Sequence, residues 1–169
     1  MKRFRTRNGG ELLEKQEMEE KYDKYIRMVY CTAFAYFKNK SDAEDVASEV
    51  FIKYFTSSQT FSDEQHEKAW LLRVTVNRCK DIMKSFRVKK TVPLDEAAQI
   101  CRNDDERTVY TAVMELPKKY RLAVHLYYFE GYTTKEIAEM CGKSDQAIRA
   151  RLSRARKMLR ESLGEEFCI

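Results

Sequence analysis

The sequence predicts an all-α protein of two small helical domains joined by a flexible linker, the C-terminal one containing a helix-turn-helix. Three observations predict this class. Only five glycines and two prolines interrupt 169 residues, which disfavours a turn-rich β fold. Apolar residues recur at helical spacing along most of the chain. One polar stretch of mixed charge, which contains a proline, breaks that pattern and is the expected linker.

The predicted architecture divides the chain into four parts. We expect a loose N-terminal tail over residues 1–18, an N-terminal helical domain over 19–88, the linker over 89–104 and the helix-turn-helix domain over 105–169. A length of 169 residues suits two small domains, each with its own core.

The bulk composition narrows the possible functions. The formal net charge of +5 is modest, so the placement of the cations carries more information than their number. The cysteines form no CxxC motif, and no apolar run approaches the ~20 residues that a membrane helix needs. We therefore expect a cytoplasmic protein with reduced thiols, in which Cys31, Cys79 and Cys141 are small core residues. No phosphate loop, metal-ligand spacing or nucleophile–base set is evident, so the sequence predicts no enzyme, no metal and no cofactor.

Three helices are predicted in the N-terminal domain. The inner stripe of the first contains Tyr22, Ile26, Val29, Tyr30 and Ala33. Ser41 and Glu44 are spaced as a capping box that would begin the second helix, whose inner stripe contains Ala43, Val46, Ala47, Val50 and Tyr54. After a polar loop over 57–65, the third helix is predicted from about Glu67 to Arg87, with an inner stripe of Leu72, Val76, Cys79, Met83 and Phe86. Another face of this helix carries Arg73, Asn77, Lys80, Lys84 and Arg87.

The C-terminal domain ends in a predicted helix-turn-helix. Pro117 suits the first turn of a helix that Gly131 ends, and within it His125 is expected to be a hydrogen-bonded core histidine. Thr133 and Glu136 form a second capping box, and Gly142 permits the tight turn that follows. Ser144 is then expected to cap the longer second helix, in the order that helix-turn-helix motifs share.

The helix after Ser144 combines a buried stripe with a basic face. Its inner stripe contains Ile148, Leu152, Ala155 and Leu159, whereas Gln146, Arg149, Ser153, Arg156 and Arg160 lie on another face. Accumulated like charges destabilise a helix unless a polyanion neutralises them, which favours DNA binding over a solvated surface helix. We expect Gln146, Ala147, Arg149 and Ala150 to meet base edges, and Lys143, Arg151, Arg154 and Arg156 to meet phosphates.

Three stretches together resemble one family. They are DAEDVASEVFIKYF at 42–55, KAWLLRVTVNRCKD at 68–81 and LPKKYRLAVHLYYFEGYTTKEIAEMCGKSDQAIRARLSRARKML at 116–159. In this order they are similar to bacterial RNA polymerase sigma factors of the extracytoplasmic-function (ECF) type, and the resemblance covers about residues 22–163. Asp145-Gln146-Ala147 departs from the Glu-Gly-Thr that is frequent in the family, which leaves the promoter sequence undetermined.

The resemblance implies a role for each stretch. The second helix would bind core polymerase at its clamp helices, through Asp42, Asp45, Glu49 and Lys53. The third helix and the loop before it would melt DNA and recognise the promoter −10 element, through Phe61, Trp70, Arg73, Asn77, Lys80, Lys84 and Arg87. The helix-turn-helix would read the −35 element, through Lys143, Ser144, Gln146, Ala147, Arg149, Ala150, Arg151, Ser153 and Arg154. For Trp70, packing on the core and contact with a nucleotide both remain open.

The resemblance also implies partners. They are core RNA polymerase (clamp helices and flap), promoter DNA and an anti-sigma factor, which is often membrane-anchored, so that the chain would be held at the membrane without inserting into it. The alternative is a stand-alone helix-turn-helix regulator that binds duplex DNA as a dimer. That alternative assigns no function to the acidic helix at 42–55 or to the cations of 73–87.

Overall fold

The computed structural model describes residues 15–84 and 107–163, and these ranges are entirely helices and connecting turns. An N-terminal bundle contains α1 (Lys15–Phe37), α2 (Lys40–Thr56) and α3 (Glu64–Lys84). A C-terminal bundle contains α4 (Arg107–Glu115), α5 (Lys118–Val124) with a π-helical extension (His125–Phe129), α6 (Thr134–Cys141) and α7 (Asp145–Leu163). The all-α prediction is confirmed for the described ranges, while the predicted linker and residues 1–14 of the predicted tail lie outside them. None of the described helices is both long and apolar enough to span a bilayer.

The central helix is α1, which is buried around most of its second half. Val29, Tyr30 and Ala33 of the predicted stripe are buried, but so are Tyr25 and Phe34 outside it. Tyr22, predicted to face inward, is 42% exposed, and its ring lies tilted against the Phe51 ring with 4.7 Å between the centroids. The stripe was too narrow because α1 packs on α2 and α3 on one side and on the C-terminal bundle on the other.

The N-terminus of α2 is capped differently from the prediction. Asn39 is the cap, and its side chain accepts a hydrogen bond from the amide of Asp42 at 3.0 Å. Ser41 lies inside the first turn, so the predicted Ser41–Glu44 capping box is wrong. Both residues are acceptable caps by type. Lys38 decides between them, because its positive φ of 54° ends α1 and leaves Asn39 extended at the start of α2.

The inner faces of α2 and α3 agree with the predicted stripes. All five predicted α2 residues are buried, as are Leu72, Val76 and Cys79 of α3. However, α3 begins at Glu64, so the predicted loop over 57–65 is two residues too long. Asp63 explains the early start, because its carboxylate accepts a hydrogen bond from the amide of His66 at 2.7 Å. Phe86 and Arg87 lie outside the described residues.

A buried carboxylate joins the three helices of the N-terminal bundle. Glu67 of α3 is 5% exposed. It accepts hydrogen bonds from Lys21 Nζ at 2.7 Å, from the Tyr25 hydroxyl at 2.7 Å and from the Tyr54 hydroxyl. The two α1 donors and the α2 donor therefore converge on one α3 side chain. These three donors stabilise the negative charge of the Glu67 carboxylate, which burial would otherwise disfavour.

The helix-turn-helix has the predicted local structure. Thr133 and Glu136 form the reciprocal capping box at the start of α6. Gly142 ends α6 with a positive φ of 62°, and the Ser144 hydroxyl accepts a hydrogen bond from the amide of Ala147 at 3.2 Å. The preceding Gly131 also has a positive φ, of 76°. Pro117 differs slightly from the prediction, since it is the residue immediately before α5 rather than within its first turn.

We expect Thr133→Ala to lower the free energy of unfolding by about 1 kcal/mol, since it removes the acceptor for the Glu136 amide. Denaturant unfolding followed by circular dichroism measures this loss. Glu139→Ala, at an exposed position inside the same helix, is the matched control. Equal losses for the two variants would contradict the capping role of Thr133.

The three cysteines that the sequence places in the core are buried. Cys79 and Cys141 are buried free thiols, as predicted. Burial raises the pKa of the Cys141 thiol, so it stays protonated and unreactive. Cys31 is also buried, so its predicted place in the core is confirmed.

Candidate nucleic-acid interface

The second helix of the helix-turn-helix, α7, packs through the predicted stripe. Ile148, Leu152, Ala155 and Leu159 are all buried. The opposite face is therefore turned outward, and Gln146, Arg149, Ala150, Ser153 and Arg154 are exposed on it. Ala147 and Arg151 are half-buried at its edges, and Lys143 and Ser144 are exposed in the turn before it. The N-terminal half of α7 is thus available to enter a groove of DNA.

Arg149 is already held by an acid within α7. Its guanidinium lies 2.8 Å from the Asp145 carboxylate, and its side chain is 65% exposed. A hydrogen bond from Thr134 and the charge of Arg149 lower the pKa of Asp145, so the carboxylate is ionised at neutral pH. The arginine that is predicted to contact bases is therefore ion-paired within α7 in this structure.

The remaining α7 arginines have different surroundings. Arg154 and Lys119 donate hydrogen bonds to the Tyr120 hydroxyl and lower its pKa. Arg156 is half-buried, and its Nε donates to the Tyr128 hydroxyl at 2.7 Å. Arg156 is thus tied to the π-helical segment, which conflicts with its predicted place on the open basic face. Tyr120, which the sequence did not single out, joins the basic surface through Arg154.

A cleft of about 460 Å³ lies between the start of α6, the π-helical segment and the middle of α7. Its lining combines two arginines with hydroxyl groups: Tyr127, Thr133, Thr134, Arg149, Leu152 and Arg156. Cations and hydroxyls at the start of a helix-turn-helix suit phosphate oxygens as well as base edges.

The predicted cation face of α3 is present in the described part of that helix. Arg73, Asn77 and Lys84 are exposed. Lys80 is half-buried because its Nζ donates to the Asn77 side chain at 3.3 Å and to the Met140 carbonyl of α6 at 3.0 Å. Arg87, the last residue predicted for this face, lies outside the described residues. The outer face of α3 therefore presents cations that could follow a DNA backbone, although one of them, Lys80, is hydrogen-bonded to the C-terminal bundle.

The aromatic pair beside this face packs onto the core and stays partly open. The Phe61 and Trp70 rings lie 5.6 Å apart, edge to face, and the Tyr54 ring lies 6.1 Å from Trp70. Both Phe61 and Trp70 are half-buried. Packing on the core is thus confirmed for Trp70, while contact with an unstacked base stays a prediction for the exposed part of the pair.

The outward face of α2 is charged, with one exception. Asp45, Glu49 and Lys53 are exposed, and Glu49 forms an ion pair with Arg78 of α3. Asp42 is only 4% exposed in the first turn, so its side chain is poorly placed for a contact with another protein. Ile52 lies between these charges and is 64% exposed, a feature that the sequence pattern did not reveal. Among the described residues, no group of three side chains could hold a metal ion.

These surfaces define a helical protein with an outward-facing helix-turn-helix and a second cationic helix in another bundle. Comparison with known families is more specific. The family described as Sigma-70 region 2 matches residues 22–88, and the family described as Sigma-70, region 4 matches residues 106–159. The two matches cover most of the N-terminal bundle and most of the described C-terminal bundle.

Individual relatives agree with these matches. The chain is 30% identical to the RNA polymerase sigma factor SigV of Bacillus subtilis, over 81% of this chain and 85% of SigV. It is 28% identical to the ECF sigma factor SigM of the same species, over 85% of this chain and 93% of SigM. The chain therefore belongs to the ECF family of RNA polymerase sigma factors.

Solved structures share the fold. The sigma factor RpoE of Bartonella quintana, in complex with the anti-sigma factor NepR, superposes with a TM-score of 0.67 at 20% identity, over 90% of this chain and 99% of RpoE. CnrH in complex with the cytosolic domain of CnrY superposes with a TM-score of 0.60 at 21% identity, over 91% of this chain and 92% of CnrH.

Proposed function

We propose that this chain binds core RNA polymerase and directs it to the −10 and −35 elements of the promoters of a specialised regulon. It acts without catalytic residues of its own, in the cytoplasm. The observation that carries the proposal is the presence of three separate exposed surfaces: the charged outer face of α2, the cation face of α3 and the basic face of α7. A stand-alone regulator needs only the last of them, and the family matches to both bundles favour the sigma factor.

Each surface has a proposed role. Asp45, Glu49 and Lys53 pair with basic and acidic groups of the polymerase, whereas Asp42 supports the first turn of α2 from inside. Arg73, Asn77, Lys80 and Lys84, continued by Arg87, follow the opened −10 strand, with Phe61 and Trp70 beside them. The start of α7 reads the −35 element. An anti-sigma factor is the proposed inhibitor, because the superposed sigma factor RpoE was solved in complex with the anti-sigma factor NepR.

In vitro transcription tests the whole proposal. Purified chain is added to bacterial core polymerase on a library of promoter fragments from the source genome, and the transcript starts are sequenced. We expect a small set of starts that share two sequence elements. If the free chain binds DNA but does not change the transcripts of core polymerase, the proposal is wrong and the stand-alone regulator is favoured.

The polymerase-binding face gives a sharper prediction. We expect Asp45→Arg/Glu49→Arg to weaken the affinity for core polymerase by about tenfold or more, because like charges then face the basic partner groups. Bio-layer interferometry with immobilised core polymerase measures the dissociation constant. Glu19→Arg/Glu139→Arg, at exposed carboxylates away from α2, carries the same change in charge and should bind normally. Equal weakening in both would mean that net charge, and not this face, controls binding.

A further inference from the structure

Tyr54 of α2 belongs both to the polar core of the N-terminal bundle and to the aromatic residues beside the cation face of α3. The side chain is buried, and its hydroxyl donates a hydrogen bond to the buried Glu67 carboxylate. Burial and this hydrogen bond raise the pKa of the Tyr54 hydroxyl, so it remains a donor at neutral pH. The ring is therefore anchored at its hydroxyl end by a charge-assisted hydrogen bond, a kind that is about twice as strong as a neutral one.

The same ring is the centre of an aromatic cluster. Its centroid lies 6.0 Å from that of Phe61 and 6.1 Å from that of Trp70. It also contacts two rings of its own helix, Phe51 at 6.3 Å and Phe55 at 5.1 Å. Tyr54 is buried, whereas Phe61 and Trp70 are half-buried. Tyr54 is thus the buried ring against which the two partly open rings pack.

Tyr54 meets α3 at two points on one face of that helix. Glu67 and Trp70 are three residues apart, so their side chains are neighbours on the helix surface. The hydroxyl of Tyr54 binds the first of them, and its ring contacts the second. Two contacts fix both the distance and the rotation of the ring. Phe61 lies in the loop before α3, and its ring is placed by the rings of Tyr54, Trp70 and His66.

We propose that Tyr54, held by Glu67, is a positioning residue for promoter opening, because it keeps Phe61 and Trp70 in place to receive an unstacked base of the −10 strand. The contact with the base rests on the proposed function, whereas the positioning of the two rings does not. Tyr54 and Glu67 are buried and act through the aromatic pair without touching DNA. Rings that are already in place lose less conformational freedom when a base stacks on them.

Tyr25 of α1 supplies a matched control. Its hydroxyl donates to the same carboxylate at 2.7 Å, and its side chain is also buried. Tyr25→Phe and Tyr54→Phe each remove one hydroxyl from Glu67 and keep the ring, so both destabilise the bundle by the same kind of loss. Among the described residues, no ring contact joins Tyr25 to Phe61 or Trp70, and only the Tyr54 variant changes the support of the pair.

Fluorescence of the free chain tests the positioning. The chain has one tryptophan, Trp70, so its emission reports on the aromatic pair without polymerase. Quenching by acrylamide measures how accessible the Trp70 ring is. We expect the quenching constant to rise in Tyr54→Phe and to keep the parent value in Tyr25→Phe. A parent value in Tyr54→Phe, or equal rises in the two variants, would overturn the positioning role.

Promoter opening tests the consequence. The chain is assembled with core polymerase on a promoter found by the transcription experiment, with 2-aminopurine in its −10 element, and the rise in fluorescence follows unstacking. We expect Tyr54→Phe to slow opening about threefold to tenfold, because stacking on the pair is partly lost, while affinity for the closed promoter stays at the parent value. Tyr25→Phe should open the promoter at the parent rate.

The outcomes separate this inference from the proposed function. Equal slowing in the two variants would assign the effect to bundle stability and overturn the role of Tyr54. Parent-rate opening in Tyr54→Phe would overturn its role in opening while the sigma-factor assignment stands. If the parent chain forms no complex with core polymerase, the proposed function and the opening step are both wrong, and the quenching experiment alone then decides whether Tyr54 positions the pair. Circular dichroism of each variant ensures that a higher quenching constant does not report unfolding.

Discussion

Glu67→Gln is expected to lower the free energy of unfolding of the N-terminal bundle by about 3 kcal/mol. The carboxylate is buried and accepts charge-assisted or hydroxyl hydrogen bonds from Lys21, Tyr25 and Tyr54. A neutral amide loses the ion pair with Lys21, and its NH₂ group faces donors that need an acceptor. Denaturant unfolding followed by circular dichroism measures the loss.

A neighbouring ion pair supplies the matched control. Glu64 lies one turn earlier on α3 and also pairs with a lysine of α1, Lys24, at 2.8 Å, but its side chain is 66% exposed. Solvent screens such a pair, so Glu64→Gln is expected to cost less than about 1 kcal/mol. A similar loss for the two variants would show that burial of Glu67 does not set its contribution.

The pH dependence of the Glu67 effect has a defined sign. Burial by itself raises the pKa of Glu67, but the hydrogen bonds from Lys21, Tyr54 and Tyr25 outweigh it and the pKa is lowered. A carboxyl group whose pKa is lower in the folded state stabilises that state above its unfolded pKa. The contribution is lost as the pH falls through the folded pKa. The difference in stability between the parent chain and Glu67→Gln should therefore be constant near neutrality and shrink below about pH 4.5.

Arg149→Ala and Arg154→Ala are expected to weaken DNA binding in different ways. Arg149 lies at the start of α7, where side chains reach base edges, so its loss should cost about 1–3 kcal/mol at one base pair and relax the preference there. Arg154 lies further along α7 beside Tyr120, at a phosphate-contacting position. Its loss should weaken binding evenly across sequences and reduce the salt slope by about one.

Competition binding separates the two effects. The two variants, each assembled with core polymerase, are titrated against promoter fragments with single substitutions in the upstream element, at several salt concentrations. The same pattern of base preference for both variants would refute the division of roles. Asp145→Asn adds a check when it is combined with Arg149→Ala: it frees Arg149 from its ion pair but also removes a negative charge near the DNA, so only the part of its effect that Arg149→Ala abolishes reports on Arg149.

The local structure of the helix-turn-helix was predictable from the sequence. Thr133, Glu136, Gly142 and Ser144 act through atoms within a few residues of themselves, so spacing alone identifies their roles. The inner stripe of α7 follows for the same reason, since a helix repeats every 3.6 residues whatever surrounds it. The cap of α2 was not predictable in this way. Asn39 and Ser41 are equally suitable by type, and the backbone turn at Lys38 decides between them.

The side chains of the candidate surfaces were only partly predictable. Sequence spacing places Asp42, Asp45 and Glu49 on neighbouring positions of α2, but it does not show that Asp42 is covered. Similarly, Arg156 shares a helical face with Arg149, yet its side chain is hydrogen-bonded to the Tyr128 hydroxyl of the π-helical segment. Long cationic side chains reach several ångströms, so their partners depend on what packs nearby and not on their own position in the helix.

The helical class, the inner stripes of α2, α3 and α7, the capped helix-turn-helix and the family were all predictable from the sequence alone. The class, the stripes and the caps depend on periodicity or on short-range spacing, whereas the family rests on the resemblance of the three motif stretches. The tertiary structure was needed to show that the second half of α1 is buried on most sides, that Glu67 accepts hydrogen bonds from three donors and that Arg121 joins the two bundles. Those features bring together residues distant in sequence, and a buried charge becomes favourable only when its partners from other helices are in place.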